Sequence, residues 1–257
     1  MTQEEMNVLV PKKLLEIEQE QNIKILLAVE SGSRAWGFAS PDSDFDVRFI
    51  YKRPHEKYLE LNKSRDVIEL PIDDTWDVNG WDLDKALKLL YKSNPTLYEW
   101  INSPICYIKT DFTEKIKPIM NEYFSVKNSV YHYLNTARSH KNIYLMGETV
   151  RPKKYFYALR PILACFWVMD NKTAPPVLFD ELVRAVLPDN LRSPLEYLLD
   201  IKINTPEKSE IKPIKIINDF LEEKIAYFDE VMKTFSEEKT QSWKILNEFF
   251  ISEISEG

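Results

Sequence analysis

The run Ile23-Lys24-Ile25-Leu26-Leu27-Ala28-Val29-Glu30 is almost continuously apolar and rich in branched residues, the pattern of a strand buried on both faces. Ahead of it, residues 4–21 carry Leu9, Leu14, Leu15 and Ile17 as the apolar stripe of a helix, with Pro11 compatible only with a first turn. Ser31-Gly32-Ser33 breaks the strand pattern, one helical turn at most follows, and Pro41-Asp42-Ser43 breaks it again. Phe45 to Tyr51 alternates as a second strand, and Val67-Ile68-Glu69-Leu70 and Trp76-Asp77-Val78 read as two short ones. From Asp82 the period becomes helical: Leu83, Ala86, Leu87, Leu90 and Tyr91 share a face, with Asp82 as N-cap. Asn94-Pro95 stops that helix and TLYEWIN starts a short one. Beyond residue 112 the pattern predicts helices over 112–124, 127–145, 153–170, 177–187, 193–201 and 214–251. The fold class is therefore α+β: a small mixed β-sheet domain over 1–104 and a helical domain over 105–257.

Composition narrows the function. The 257 residues include 13 Tyr, 13 Phe and 6 Trp, enough apolar material for a sizeable core, which excludes a disordered chain. No run of about 18 apolar residues exists and the N-terminus does not read as a signal peptide, so a cytoplasmic protein without membrane contact is expected. Cys106 and Cys165 have no metal or redox spacing, and Cys106 reads as a small buried hydrophobe; His55, His132 and His140 are dispersed. Net charge is −7, unevenly spread: residues 105–160 hold 10 Lys/Arg against 4 Asp/Glu, a cationic stretch between acidic flanks. That suits either a polyanion-binding surface or a Lys-rich solvated face.

The chemistry concentrates in Glu30-Ser31-Gly32-Ser33-Arg34-Ala35-Trp36-Gly37-Phe38-Ala39-Ser40-Pro41-Asp42-Ser43-Asp44-Phe45-Asp46-Val47. A Gly-Ser turn after a buried strand exposes backbone N–H groups and a hydroxyl to phosphate oxygens, and Arg34 can neutralise them. Asp44 and Asp46, two apart at a strand start, project to one face, whereas Phe45 and Val47 face the core. Such a pair repels itself unless a divalent cation, with Mg²⁺ the usual one, intervenes. A third carboxylate is open among Asp73, Asp74, Asp77 and Asp82: Asp77 sits within a strand pattern, whereas N-capping accounts for Asp82 without chemistry. In KKYFYALR, Lys153, Tyr157 and Arg160 lie within helical reach of one another and could meet a triphosphate or nucleic-acid backbone; alternatively Tyr155, Phe156 and Leu159 are core and the cations point outward.

The Gly-Ser turn followed by Asp-x-Asp resembles the DNA polymerase beta nucleotidyltransferase superfamily. More narrowly, GSRAWGFASPDSDFDVRFIY, WDVNGWDLDKALKLLYKSNPTLYEWINSPICY and KKYFYALRPILACFW resemble the bacterial RNA repair pathway DNA polymerase beta family, over about residues 24–180. The resemblance implies a nucleotidyltransferase fold and metal-dependent transfer of an NMP from an NTP, with Gly32, Ser33, Asp44 and Asp46 at the motif positions. On this reading Asp44, Asp46 and Asp77 are catalytic and hold Mg²⁺, with Mn²⁺ as a substitute, while Gly32, Ser33, Arg34, Lys153 and Arg160 bind the nucleotide. The family name suggests an RNA end as acceptor; a small-molecule acceptor, a non-catalytic antitoxin-like module and an Asp-x-Asp glycosyltransferase are the alternatives.

Overall fold

The computed structural model describes residues 2–40, 43–71, 76–204, 209–237 and 242–255. These form two compact units, one of residues 1–35, 44–123 and 240–257, the other of 36–43 and 124–239. The division expected at residue 104 is not the one these units follow. β5 (Cys106–Lys109) pairs with β1 (Lys24–Glu30), so the segment after 104 completes the sheet. Behind it, α6 (Phe112–Tyr123) and α12 (Trp243–Ser255) meet through Phe112 and Phe249, whose ring centroids are 5.9 Å apart.

The first unit is built on a five-stranded mixed sheet of order β3-β4-β2-β1-β5, with β2 at Phe45–Lys52, β3 at Val67–Glu69 and β4 at Trp76–Asp82. β1 is antiparallel to β2 and β5, β3 is antiparallel to β4, and β2 and β4 run parallel. The alternation in β2 decides which face is which. Phe45, Val47, Phe49 and Tyr51 are buried in a core with Met6, Val10, Leu14 and Ile17 of α1 (Gln3–Gln21). On the other side, α4 (Leu83–Tyr91), α5 (Pro95–Ile101) and α6 pack on β1 and β2.

Pro11 lies inside α1 rather than in its first turn. Thr2 and Glu5 form a reciprocal capping box that starts the helix upstream, and the helix tolerates the one missing amide donor because its apolar stripe is docked. β4 runs on to Asp82, four residues past the expected end, and short α2 (Gly32–Ala35) and α3 (His55–Leu59) flank β2. Asn94 caps α5 through Thr96, with Pro95 in the first turn, as its sequence suggests. Cys106, by contrast, is exposed, because β5 is an edge strand; Cys165 is the buried one.

In the second unit α7 (Val126–Tyr144) packs along α8 (Pro152–Asn171), with α9 (Phe179–Val186), α10 (Arg192–Asn204) and α11 (Lys215–Thr234) around them. The single terminal helix expected over 214–251 is two helices. Phe235 takes an extended conformation after α11, and the Glu237 carboxylate accepts hydrogen bonds from the Val126 and Lys127 amides at 2.9 and 3.2 Å. An anionic cap for the α7 N-terminus thus competes with continuing the helix. The cationic stretch 105–160 divides between the two units, 105–123 in the first and 124–160 in the second. Locally, Lys109 pairs with Glu114, Lys115 with Asp111 and Glu253, and Arg138 with Asp229.

Packing between β2 and β4 tolerates no side chain at Gly80: a Cβ there would overlap the ring of fully buried Phe49, its register partner. Gly80→Ala should therefore cost about 1–3 kcal/mol of stability in urea unfolding, the range for overpacking a core.

Candidate active site

Parallel pairing of β2 with β4 sets Asp46 directly opposite Asp77 and Arg48 opposite Asn79. Because neighbouring residues in register share a face, both carboxylates stand on the side of β2 away from the α1 core. Arg48 lies two residues after Asp46 and so joins them. Its Nη2 donates to Asp46 Oδ1 at 2.9 Å and to Asp77 Oδ2 at 2.7 Å. Its Nη1 is tethered to the Asp77 and Val47 carbonyls at 2.8 and 3.1 Å. One guanidinium thus bridges two carboxylates that would otherwise repel. Arg48 was not singled out in the sequence, although the period of two that aligned Asp44 with Asp46 extends to it.

Gly32 has a positive φ of 61°, and a Cβ on it would collide with the Asp46 carboxylate. The glycine is required twice, for its backbone conformation and to let the acid lie against the turn. The Ser31 amide donates to the Asp46 carbonyl at 2.9 Å, clamping the turn to β2. Ser33 is nearly buried in α2. Arg34 donates through Nε to the Asp44 carbonyl at 3.1 Å, and its guanidinium lies 3.7 Å from the Phe45 ring centroid. Asp44 itself is exposed one residue before β2.

Glu30, the last residue of β1, is a second site residue that the sequence pattern hid behind an apolar run. It is fully buried, accepts from the Asp46 amide at 2.8 Å, and accepts from the Tyr107 hydroxyl at 2.5 Å. Burial pushes its pKa up to about 7, against the lowering effect of those two hydrogen bonds. Burial also raises the Asp46 pKa; Arg48 opposes this, and the charges of Asp77 and Asp44 add to it.

The two alternatives for a third carboxylate separate by parity. Asp82 is five residues beyond Asp77 on β4 and pairs in register with Tyr51. It is 3% exposed, accepts from Arg53 Nε at 3.1 Å and from the Tyr58 hydroxyl at 2.8 Å, and caps α4 through the Asp84 amide. Asp77 therefore meets Asp46, and Asp82 serves another cluster. Asp73 and Asp74 lie outside the described residues.

Lys153 and Arg160 belong to the helical unit. Arg160 does not point outward: it is 2% exposed, its guanidinium lies 4.5 Å from the Trp36 ring centroid, and its Nη2 is 3.3 Å from the Val177 carbonyl. Tyr155, Phe156 and Leu159 are core, as one of the two readings had it. Lys153 is half-buried beside Lys154, whose ammonium sits 3.8 Å from the Tyr144 ring centroid.

The donor set suits a hard divalent cation: two carboxylates, 30% and 34% exposed, already converge on one positive group. Among the described residues no three His, Cys, Asp or Glu side chains gather closely enough to hold a metal ion, so the Asp44, Asp46 and Asp77 set expected from the sequence does not form a three-carboxylate cluster. Mg²⁺ commonly uses one or two carboxylates and completes its shell with water and substrate phosphates.

A mixed α/β sheet that sets an acidic pair against a Gly-Ser turn defines a class with the architecture expected of a nucleotidyltransferase-like protein. The chain belongs to the RNA repair pathway DNA polymerase beta family, whose sequence signature matches residues 6–252. It is 43% identical over 246 residues to the uncharacterized protein YcgL of Bacillus subtilis (strain 168), covering 95% of each chain. Among solved structures, a nucleotidyltransferase-like protein from Exiguobacterium sibiricum 255-15 is similar at 10% identity, over 88% of this chain and 75% of that one. Its TM-score of 0.32 is too low to bear on fold or chemistry. No helix among the described residues is long and apolar enough to cross a membrane.

Glu30 makes stability depend on pH in a definite direction. Its folded pKa of about 7 lies above the ordinary 4.5, so its favourable contribution is complete below pH 4.5 and lost as pH rises through 7. Glu30→Gln removes that dependence. Between pH 4 and pH 8 the difference in unfolding free energy should move in favour of the variant by about 3 kcal/mol, at about 1.36 kcal/mol per pKa unit. Parallel urea curves at the two pH values measure it.

Proposed function

We propose that the protein is a metal-dependent nucleotidyltransferase that transfers a nucleoside monophosphate from an NTP to an acceptor hydroxyl and releases pyrophosphate. The observation that carries this reading is the convergence of Asp46 and Asp77 on a single cationic group beside the Gly32 turn. Family membership supports the reaction class. Asp46 and Asp77, with Asp44 at the rim, would hold Mg²⁺ or Mn²⁺, which supplies Lewis-acid stabilisation of charge on the phosphates when bound.

The chain's own residues account for the rest. Gly32 and Ser33 give the triphosphate a turn without an obstructing side chain, and Arg34 offers a cation beside it. The acceptor oxygen forms a bond to the α-phosphorus as the bond to the bridging oxygen of pyrophosphate breaks, and the acceptor proton passes to the Asp77 carboxylate. Arg48 orients that carboxylate until a metal takes its place, and Glu30 fixes the Asp46 backbone. Lys153 and Arg160 were expected to bind the nucleotide; Arg160 is instead engaged in the interior of its own unit. An RNA end is the acceptor we favour, on the family name, with a small-molecule hydroxyl as the second choice. The Arg48 bridge also favours one rival, a nucleotide-binding module without turnover, because the acidic pair is already neutralised.

Incubating the protein with α-labelled NTPs, Mg²⁺ and either total RNA or small hydroxyl acceptors distinguishes these readings. The expected result is label transfer that falls at least about 100-fold in Asp46→Asn and in Asp77→Asn, the scale of losing a positioned acid–base group. Nucleotide binding with no transfer to any acceptor would favour the module.

A further inference from the structure

The C-terminal end of β4 opens onto a cleft of about 610 Å³ that the carboxylate site does not use. Asp82, at its floor, lies five residues along the strand from Asp77, about 17 Å at the usual strand rise. Five cationic side chains line it, Arg53, Lys57, Lys63, Arg65 and Lys88, against three carboxylates. Glu60 and Glu69 pair with two of these cations, so charges of both signs meet around the cleft.

The cations fall into two groups. Arg53 is built in: Nε bonds Asp82 at 3.1 Å, and Nη2 bonds the Arg65 carbonyl at 3.1 Å and the Tyr51 hydroxyl at 3.3 Å. The others stand at the mouth. Lys57 pairs with Glu60 and Lys88 with Asp84, at 2.8 and 2.7 Å, Arg65 pairs with Glu69, and Lys63 donates to the Tyr58 carbonyl. Exposed pairs three or four residues apart contribute little and exchange readily, so these cations can turn to an incoming anion.

The same cleft carries an aromatic platform. The Trp243 indole is 44% exposed and backed by Tyr91, stacked at a centroid distance of 3.8 Å with 7° between planes. A ring stacked on a second ring and partly exposed suits a planar heterocycle stacking on it. Phe250, edge-on to Tyr58 at 5.0 Å, extends the apolar wall.

We infer that this cleft is a second nucleotide-unit binding site, taking a base on Trp243 and phosphate on the Arg53, Lys63 and Lys88 side. Its volume fits one nucleotide or a short segment of single-stranded nucleic acid. The inference does not rest on nucleotidyl transfer, because the site needs neither the acidic pair nor a metal.

The test is fluorescence anisotropy of the full chain with a labelled ten-residue oligoribonucleotide and, in a separate arm, a labelled adenine mononucleotide. Both arms are run in EDTA to silence any metal-dependent site, and the oligonucleotide arm is repeated across a salt series. Binding in either arm should weaken at least tenfold in Lys63→Glu/Lys88→Glu, which alters two exposed side chains, and in Trp243→Ala, with recovery in Trp243→Phe. For the oligonucleotide, the slope of log affinity against log salt should fall in magnitude by about one to two. Binding of the oligonucleotide alone assigns the cleft to a strand, and binding of the mononucleotide alone assigns it to the free nucleotide. No binding in either arm, or binding that survives Lys63→Glu/Lys88→Glu, would overturn the inference.

Discussion

Everything at the candidate active site depends on the register of one parallel strand pair. Asp46 faces Asp77 because Phe45, Val47, Phe49 and Tyr51 are buried on the opposite side of β2. A slip of one residue would drive Asp46 and Arg48 into the core and expose four large apolar side chains, so the core itself enforces the pairing. The enforced pairing is costly: two carboxylates about 5 Å apart repel by about 3 kcal/mol at an effective dielectric near 20. Arg48 offsets this from the same face, at 2.9 and 2.7 Å. Truncating Arg48 would therefore leave both acids uncompensated, whereas a stronger cation could take its place.

The surroundings preserve that arrangement. Gly32 gives up its side chain so that Asp46 can lie against the turn, and Glu30 ties the Asp46 amide to β1 while Tyr107 on β5 holds Glu30. The central strands and an edge strand thus act on one residue. At its far end β4 delivers Asp82 to Arg53, Tyr58 and the start of α4. One strand carries two polar clusters on opposite faces, and in the first two acids share one guanidinium.

Much of this was legible in the residues. The period of two in FDVRFIY identified β2 and its faces, and the Gly-Ser turn ahead of it located the site. The strand pattern favoured Asp77 over Asp82 without deciding between them, because the choice turns on where β4 ends and which strand it pairs with, neither of which local pattern records. Arg48 obeyed the same alternation as Asp46 and could have been found by extending it. Glu30 was hidden because a buried acid at the end of an apolar strand leaves no periodic signal; only the tertiary partner Tyr107 reveals it. Pro11 misled by its residue type, while the Thr2–Glu5 capping box that overrode it was present in the sequence. The break between α11 and α12 has no glycine or proline at the end of α11, and arises from a distant demand, the capping of α7 by Glu237.

The most direct measurement is an anomalous difference map from crystals soaked with Mn²⁺ and a non-hydrolysable NTP analogue. The account predicts a peak bounded by the Asp46 and Asp77 carboxylates, with the Arg48 guanidinium withdrawn from between them and phosphate oxygens at the Gly32 turn. A nucleotide bound elsewhere, with Arg48 still bridging the two acids and no peak beside them, would contradict it.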